Sequence, residues 1–167
     1  PNGKYIYSDN DFIFLGKVVE NISGLPLNEY VYKNFYQPMG LRSVGFLPFQ
    51  RLPASRIVPT ENEKTFRQQL VKGTVHDPGA AMFGGVAGHA GLFSTAYDIA
   101  AIFQMLLNKG TYNDHFYLKP STIELFTKYQ SDISRRGYGF DKPEKDLADS
   151  KDPYPARYVS PETFGHT

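Results

Sequence analysis

Two short segments near opposite ends of the chain carry side chains that could transfer protons or bind an anion. Tyr7 and Asp9 lie in the first segment, and His166 and Thr167 lie in the second. A tyrosine with an unperturbed pKa of about 10 is a poor base at neutral pH unless a nearby positive charge favours the phenolate. An imidazole can assist proton transfer near neutral pH. Structural alternatives stay open: Tyr7 as a helix-entry aromatic, Asp9 as a helix cap and His166 as a surface residue.

The other histidines give weaker signals. His89 stands among glycines that permit close backbone approach, so it could line a cleft, but a structural hydrogen bond is the favoured role. His76 and Asp77 are adjacent, and on a strand they would point to opposite faces, which argues against a shared metal ion. We therefore expect no metal and no other cofactor, and we expect His115 to be exposed.

Composition excludes several classes of function. The 167 residues contain 41% hydrophobic residues, enough for the core of one domain. Lys and Arg number 18 against 17 Asp and Glu, a balance that argues against a nucleic-acid partner. The chain has no cysteine, which excludes disulfides and cysteine-based metal sites. No apolar run approaches the roughly 20 residues of a membrane span.

Apolar periodicity predicts two helices near the start of the chain. The first covers residues 10–23, with Asp9 or Asn10 as the N-terminal cap and Gly24 as the C-terminal cap. Its predicted buried face consists of Phe12, Ile13, Leu15, Gly16, Val19 and Ile22. The second helix runs from Leu27 to about Tyr36, and the short break between the two should make them pack as a pair.

Two further helices are predicted in the second half. One covers residues 96–109, and Thr95 with Asp98 resembles a capping box at its start. Its predicted buried stripe is Ile99, Ile102, Phe103, Leu106 and Leu107. The other helix follows Pro120, with Ser121 as its expected cap.

The remaining segments indicate short strands and loops. Ile57-Val58 and Gln69–Val71 are candidate edge strands, and a small hairpin is predicted with a turn at Lys72-Gly73 between Leu70-Val71 and Thr74-Val75. Gly137–Phe140 is interpreted as a short strand. Residues 141–163 are rich in proline and charge, which predicts a surface loop.

Three motifs in order resemble serine hydrolases of the penicillin-binding-protein and β-lactamase type. Tyr7-Ser8-Asp9, followed by the helical pair Leu15-Gly16, resembles the Tyr-x-Asn motif of class C β-lactamases and related esterases and carboxypeptidases, with Asp in place of Asn. Gly88–Ala96 resembles the family's glycine-rich turn into its next long helix. Gly165-His166-Thr167 resembles the His-Thr-Gly version of the Lys-Thr-Gly strand motif.

The resemblance implies a role for each of these residues. Tyr7 would be the general base for acylation and would return the proton to the leaving group, and His166 would lie on the strand that faces the nucleophile. Asp9 would contact the substrate amide, Thr167 would contact a substrate carboxylate, and His89 would lie at the mouth of the cleft. The substrate would carry an amide or ester carbonyl, and β-lactam, D-Ala peptide and ester stay open as alternatives.

The family's nucleophile motif, Ser-x-x-Lys, does not occur, because no serine has a lysine three positions later. We therefore expect an internal piece of an enzyme that is inactive alone. Residues 1–167 would form a single partial domain: a mainly α fragment, with long loops and a small hairpin, of the α+β β-lactamase/transpeptidase-like fold. The nucleophile segment and the C-terminal sheet strands would lie outside it.

Partners and location follow from the same resemblance. A cell-wall role implies a peptidoglycan-derived or small-molecule substrate and a periplasmic or extracellular parent protein, although this chain carries no targeting signal. An apolar face without its sheet would favour self-association or pairing with the missing segments. The alternative function is a non-catalytic helical module that binds peptidoglycan or a partner protein.

Overall fold

The computed structural model describes residues 5–145 and 154–166, in which helices and two small sheets form the regular structure. Two compact units are present: Ser8–Phe103, here called the continuous unit, and Pro1–Tyr7 with Gln104–Thr167, here called the split unit. The helical content with small sheets agrees with the predicted helical part of a larger fold. The assignment of residues 1–167 to one partial domain stays a prediction. Within the described ranges, no helix combines the length and apolar character needed to cross a membrane.

Helix α1 of the continuous unit covers Asp9–Ser23, close to the predicted range. Its N-terminal cap is Ser8, which has an extended backbone and a hydroxyl that accepts a 3.3 Å hydrogen bond from the Asn10 amide. The prediction of Asp9 or Asn10 as the cap was therefore wrong, because both residues are already helical. The predicted C-terminal cap is confirmed, since Gly24 adopts the left-handed conformation with φ of 70°.

Helix α1 is apolar on two sides, and only one of them is covered. The buried side centres on Gly16, where the helix approaches Gly88 and the side chain of Leu27. The prediction that Leu15 and Ile22 belong to the buried face was wrong. The exposed apolar side consists of Phe14, Leu15, Val18 and Ile22, with Phe14 70% and Ile22 83% exposed. The close approach at the glycine, rather than hydrophobicity, decides which side turns inward.

Helix α2 covers Leu27–Val31 and continues as one wide π-helical turn, Tyr32–Tyr36. The predicted extent of this helix is confirmed, although the sequence did not indicate the change in winding. Rings pack at this turn: Tyr30 meets Phe35 edge to face with centroids 6.5 Å apart. Burial raises the pKa of Tyr36 to about 12, in keeping with a packing role for these aromatics.

A hairpin joins strand β1, Pro59–Glu63, to the antiparallel strand β2, Gln69–Lys72. The predicted turn at Lys72-Gly73 was therefore wrong, because β2 pairs with the strand before it. The carboxylate of Glu63 closes the true loop by accepting hydrogen bonds from the amides of residues 65–68. The polar sequence of β1 has low strand propensity, so the pattern gave no signal for it.

The small core next to the hairpin orders the segment that carries His89. Val75, Ala80 and Ala87 are buried together, and Ala80 belongs to helix α3, Pro78–Met82. Beyond this core the chain crosses α1 at Gly88, where a Cβ atom would lie only 2.0 Å from the carbonyl oxygen of Phe12. Only glycine permits that approach, which determines where the next residue, His89, lies.

Helix α4 covers Ala96–Leu107, so its predicted position is confirmed. The predicted capping box was wrong, because the Asp98 carboxylate accepts hydrogen bonds of 2.6 Å from the Ser43 amide and 2.8 Å from the Ser43 hydroxyl. Asp98 thus binds a distant loop instead of its own helix terminus. Within the predicted buried stripe Leu107 is exposed, whereas Met105, outside that stripe, is buried.

The split unit contains a second hairpin, made of β3, Thr111-Tyr112, and β4, His115-Phe116. Asn113 and Asp114 both have positive φ, the conformation of a type I′ turn. His115 is exposed, as predicted. Helix α5, Pro120–Thr127, begins where expected, but Ser121 is not its cap. Lys119 occupies that position without a side-chain hydrogen bond.

The segment predicted as a strand at Gly137–Phe140 is a tight turn, closed by a 2.8 Å hydrogen bond from the Gly137 amide to the Phe140 carbonyl. Arg136 and Asp141 pair as a β-bridge on either side of it, and Asp141 also bridges to Gly165. The predicted surface loop 141–163 was wrong at its start, because Asp141 and Lys142 are buried. Residues 146–153 lie outside the described residues.

Candidate active site

The guanidinium of Arg136 contacts both Tyr7 and His166 in the split unit. Its central carbon lies 4.8 Å from the centroid of the Tyr7 ring. Its Nη1 atom lies 3.4 Å from Nε2 of His166. The Tyr7 side chain is half exposed and His166 is exposed, so both are accessible from solvent. One cation therefore joins the two residues that the sequence analysis selected as catalytic.

Asp141 anchors that cation from the buried side. Arg136 Nε lies 2.9 Å from Asp141 Oδ1, and the aspartate side chain is only 3% exposed. The β-bridge between Asp141 and Gly165 then sets the position of His166, the next residue along the chain. An ion pair with a buried carboxylate restricts the orientation of the guanidinium that contacts Tyr7 and His166.

Arg135 forms a similar set of contacts that involves neither candidate residue. Its Nη2 atom lies 3.7 Å from Asp141 Oδ2 and its Nη1 atom lies 3.2 Å from Glu144 Oε1. Its guanidinium lies over the ring of Tyr154, 4.3 Å from the centroid. The two neighbouring arginines thus share a buried carboxylate and each contacts a tyrosine, and the guanidinium beside Tyr7 and His166 is that of Arg136.

A separate polar cluster lies in the continuous unit. Asp77 caps α3, where its Oδ1 atom accepts a 2.6 Å hydrogen bond from the Ala80 amide. The same oxygen lies 2.9 Å from Nε2 of His89, whose side chain is only 5% exposed. A carboxylate only accepts, so the proton of this contact belongs to His89. The Ala80 amide is the main cause that lowers the Asp77 pKa, and His89 adds to the effect.

Asp9 lies beside this pair. The donor atoms of Asp9, Asp77 and His89 all lie within 4.8 Å of one another. Two carboxylates and an imidazole are acceptable ligands for Zn²⁺ and related ions, so these residues could hold a metal. An ion that used His89 Nε2 and Asp77 Oδ1 would compete with the contact between these two atoms. The expectation of no metal stays a prediction.

The predicted site residues thus fall into two groups. Tyr7 and His166 share a contact in the split unit, Asp9 and His89 lie close together in the continuous unit, and Thr167 is outside the described residues. Sequence reasoning missed Arg136 altogether. Arg136 lies far from Tyr7 in the sequence, so neither periodicity nor motif spacing indicates their contact. The β-bridges of Asp141 to Arg136 and Gly165 bring Arg136 close to His166.

Solved structures identify the type of fold. A penicillin-binding protein homologue from Caulobacter crescentus matches 91% of this chain and 43% of its own chain, with a TM-score of 0.58 and 19% identity. A D-stereospecific amidohydrolase from Streptomyces matches 85% of this chain and 40% of its own, with a TM-score of 0.55 and 21% identity. Both likenesses support a β-lactamase/transpeptidase-like fold.

The sequence comparison then gives the family. The chain matches the Beta-lactamase family over residues 1–167, and it belongs to that family. A protein of Escherichia coli K12 named "Putative D-alanyl-D-alanine carboxypeptidase" is 35% identical over 179 aligned residues. That alignment covers all of this chain and 41% of the relative, so the chain spans less than half the length of the curated relative it matches.

Proposed function

We propose that the whole protein containing this chain is a serine hydrolase that acts on an amide or ester carbonyl through an acyl-enzyme. Family membership supports this class, as do relatives named for carboxypeptidase and amidohydrolase activities. The nucleophilic serine would be supplied from outside the 167 residues, since they contain no Ser-x-x-Lys. The chain alone would then be inactive.

One observation carries the proposal. Tyr7 and His166 come from motifs at opposite ends of the chain and contact the same guanidinium. A tyrosine that acts as a base requires a neighbouring positive charge, and Arg136 has that position. Two motif residues that share one cation could act together as an acid–base pair.

Among the open substrates, a peptide ending in D-Ala has the most support, because the 35% identical relative is named for that activity. Thr167 would contact the carboxylate of such a substrate. A peptidoglycan-derived substrate would agree with a periplasmic or extracellular location for the whole protein. A β-lactam would react as an analogue of the same amide.

The two remaining predicted contacts differ in their support. Asp9 is exposed and does not cap α1, so its carboxylate is available to a substrate amide. His89 is buried and held by Asp77, which favours a structural hydrogen bond over a place at the mouth of a cleft. We retain Asp9 as the proposed substrate contact and assign His89 the supporting role.

The alternative is a non-catalytic module for peptidoglycan or a partner protein. The exposed apolar side of α1, which includes Phe14 and Ile22, favours it, because such a surface is usually covered. The two proposals differ in whether Tyr7 contributes to covalent chemistry.

Labelling by a fluorescent penicillin tests the proposed function. The whole protein should be acylated at one serine, and Tyr7→Phe should slow acylation about 100-fold or more, because removal of a general base typically costs that much. Tyr5→Phe is the matched control, since Tyr5 is an exposed tyrosine two positions away and should react as the unmodified protein does. Equal rates for both variants would contradict the role of Tyr7.

The isolated chain provides a second comparison. It should not be labelled by the penicillin or by a fluorophosphonate, because it lacks the nucleophile motif. Stoichiometric labelling of any of its own serines would show that the nucleophile was assigned to the wrong part of the protein. No labelling of the whole protein, together with retention on peptidoglycan, would favour the module.

A further inference from the structure

We propose that Arg136 supplies the positive charge of the Tyr7–His166 site and that His166 works there as a neutral imidazole, an inference that rests on the proposed function. The resemblance would give that charge to the lysine of the Ser-x-x-Lys motif, which does not occur in these 167 residues. The contacts of the described residues assign it to an arginine that belongs to none of the three motifs.

The first step concerns the proton on His166. Arg136 Nη1 lies 3.4 Å from Nε2 of His166. A guanidinium has donors only and stays protonated in proteins, so the imidazole nitrogen that faces it is the acceptor. Nε2 therefore carries no proton, and the neutral ring holds its proton on Nδ1. An imidazolium would instead turn a donor toward a donor and set two positive charges side by side.

The second step concerns Tyr7. The Arg136 guanidinium lies 4.8 Å from the centre of the phenol ring, within the range of a cation–π contact. A cation over the ring would favour negative charge that develops on the phenol as its proton moves. Arg136 thus acts on the transition state through Tyr7 and orients His166, so it is a positioning residue.

The third step concerns preorganisation. Arg136 is only 16% exposed, and its Nε atom forms an ion pair with Oδ1 of the buried Asp141 at 2.9 Å. A donor held in place before the reaction avoids the cost of reorganisation during it. Lysine could not reproduce this arrangement, because a compact ammonium cannot reach a carboxylate on one side and an imidazole on the other.

Kinetics of the whole protein on a D-Ala-D-Ala peptide provide the first test. Per folded molecule, Arg136→Gln should lower kcat/KM about 100-fold, the usual effect of losing one electrostatic donor. Arg136→Lys should recover part of the loss and stay about 10-fold below the unmodified protein. Arg135→Gln is the matched control, because Arg135 also pairs with Asp141, and it should leave kcat/KM unchanged.

The tautomer of His166 provides a second readout, which would not change on substitution of Arg136 if this arginine had only a structural role. Long-range proton–nitrogen NMR of the whole protein at pH 7 should show the proton on Nδ1. The same pattern should persist in Arg135→Gln and should be lost in Arg136→Gln. This measurement on the unmodified protein stays decisive even if Arg136→Gln fails to fold, and Arg136→Lys then carries the kinetic comparison.

Each outcome has one meaning. An imidazolium or a proton on Nε2 of His166 in the unmodified protein overturns the inference. An equal loss of kcat/KM in Arg136→Gln and Arg135→Gln also overturns it. If the penicillin acylates no serine of the whole protein, the proposed function itself fails, and if Tyr7→Phe has no effect on turnover, the catalytic role of Tyr7 fails. If Tyr7→Phe is severely impaired while Arg136→Gln is not, the hydrolase stands and only the role of Arg136 is lost.

Discussion

The Asp77–His89 pair of the continuous unit and the Arg136–Asp141 pair of the split unit have similar components and opposite designs. Each joins a carboxylate to a nitrogen side chain at 2.9 Å, and each has one member almost completely buried. In the first pair the shared oxygen also accepts the Ala80 amide, so it is committed to the backbone. In the second pair the cation continues outward to an exposed tyrosine and an exposed histidine.

This difference separates a structural ion pair from a candidate functional one. A carboxylate that caps a helix and holds a buried imidazole stabilises the fold and leaves little capacity for a ligand. A cation that pairs with a buried carboxylate on one side and contacts exposed residues on the other keeps its charge available near the surface. We therefore assign the motif that contains His89 to the scaffold, and we propose that the arginine outside every motif belongs to the site.

The largest expected effect on stability comes from the backbone crossing that holds His89. Gly88→Ala would place a Cβ atom 2.0 Å from the Phe12 carbonyl oxygen, so the crossing must shift. We expect a loss of about 3 kcal/mol, measured by urea unfolding of the whole protein. Gly165→Ala in the split unit is the control, because a Cβ there meets no atom within 4 Å. Equal losses would mean that the crossing is not tightly packed.

A smaller effect is expected from the structural ion pair itself. Asp77→Ala should cost about 1–2 kcal/mol, since it removes a helix cap. Asp77→Asn should cost less, because an amide oxygen can still accept from Ala80. The measurement is the melting temperature of each variant. If Asp77→Ala leaves it unchanged, the scaffold role of the pair is wrong.

The same aspartate should make stability depend on pH in a defined direction. The Asp77 pKa is lowered in the folded protein, so the contribution is fully present above the ordinary value of 3.8 and is lost as pH falls through the lower folded value. The stability difference between the unmodified protein and Asp77→Ala should therefore shrink in acid. A difference that grows below pH 4 would contradict this sign.

The smallest expected effect is the response to metal. Asp9, Asp77 and His89 could ligate an ion, but Asp77 and His89 already bind each other. We expect Zn²⁺ to leave the melting temperature of the whole protein unchanged. A rise that is abolished by Asp9→Asn would instead give the continuous unit a metal site and remove the contrast with the split unit.

Much of the local structure could be predicted from the sequence. Helices α1 and α4 follow apolar periodicity, and Gly24 follows the short-range rules of helix caps. Two of the errors arose where a polar side chain binds a partner that the sequence pattern does not indicate. Asp98 binds the Ser43 loop instead of capping α4, and Glu63 closes a hairpin that the pattern placed elsewhere.

The sequence by itself determined the family, the order of the motifs and the choice of Tyr7 and His166, because those signals are local strings of residues. Only the tertiary structure decided which positively charged side chain lies beside these two residues. Arg136 reaches both through a turn and two β-bridges at Asp141, and such pairings join residues far apart in the chain. Spacing along a sequence carries no record of contacts that packing alone creates.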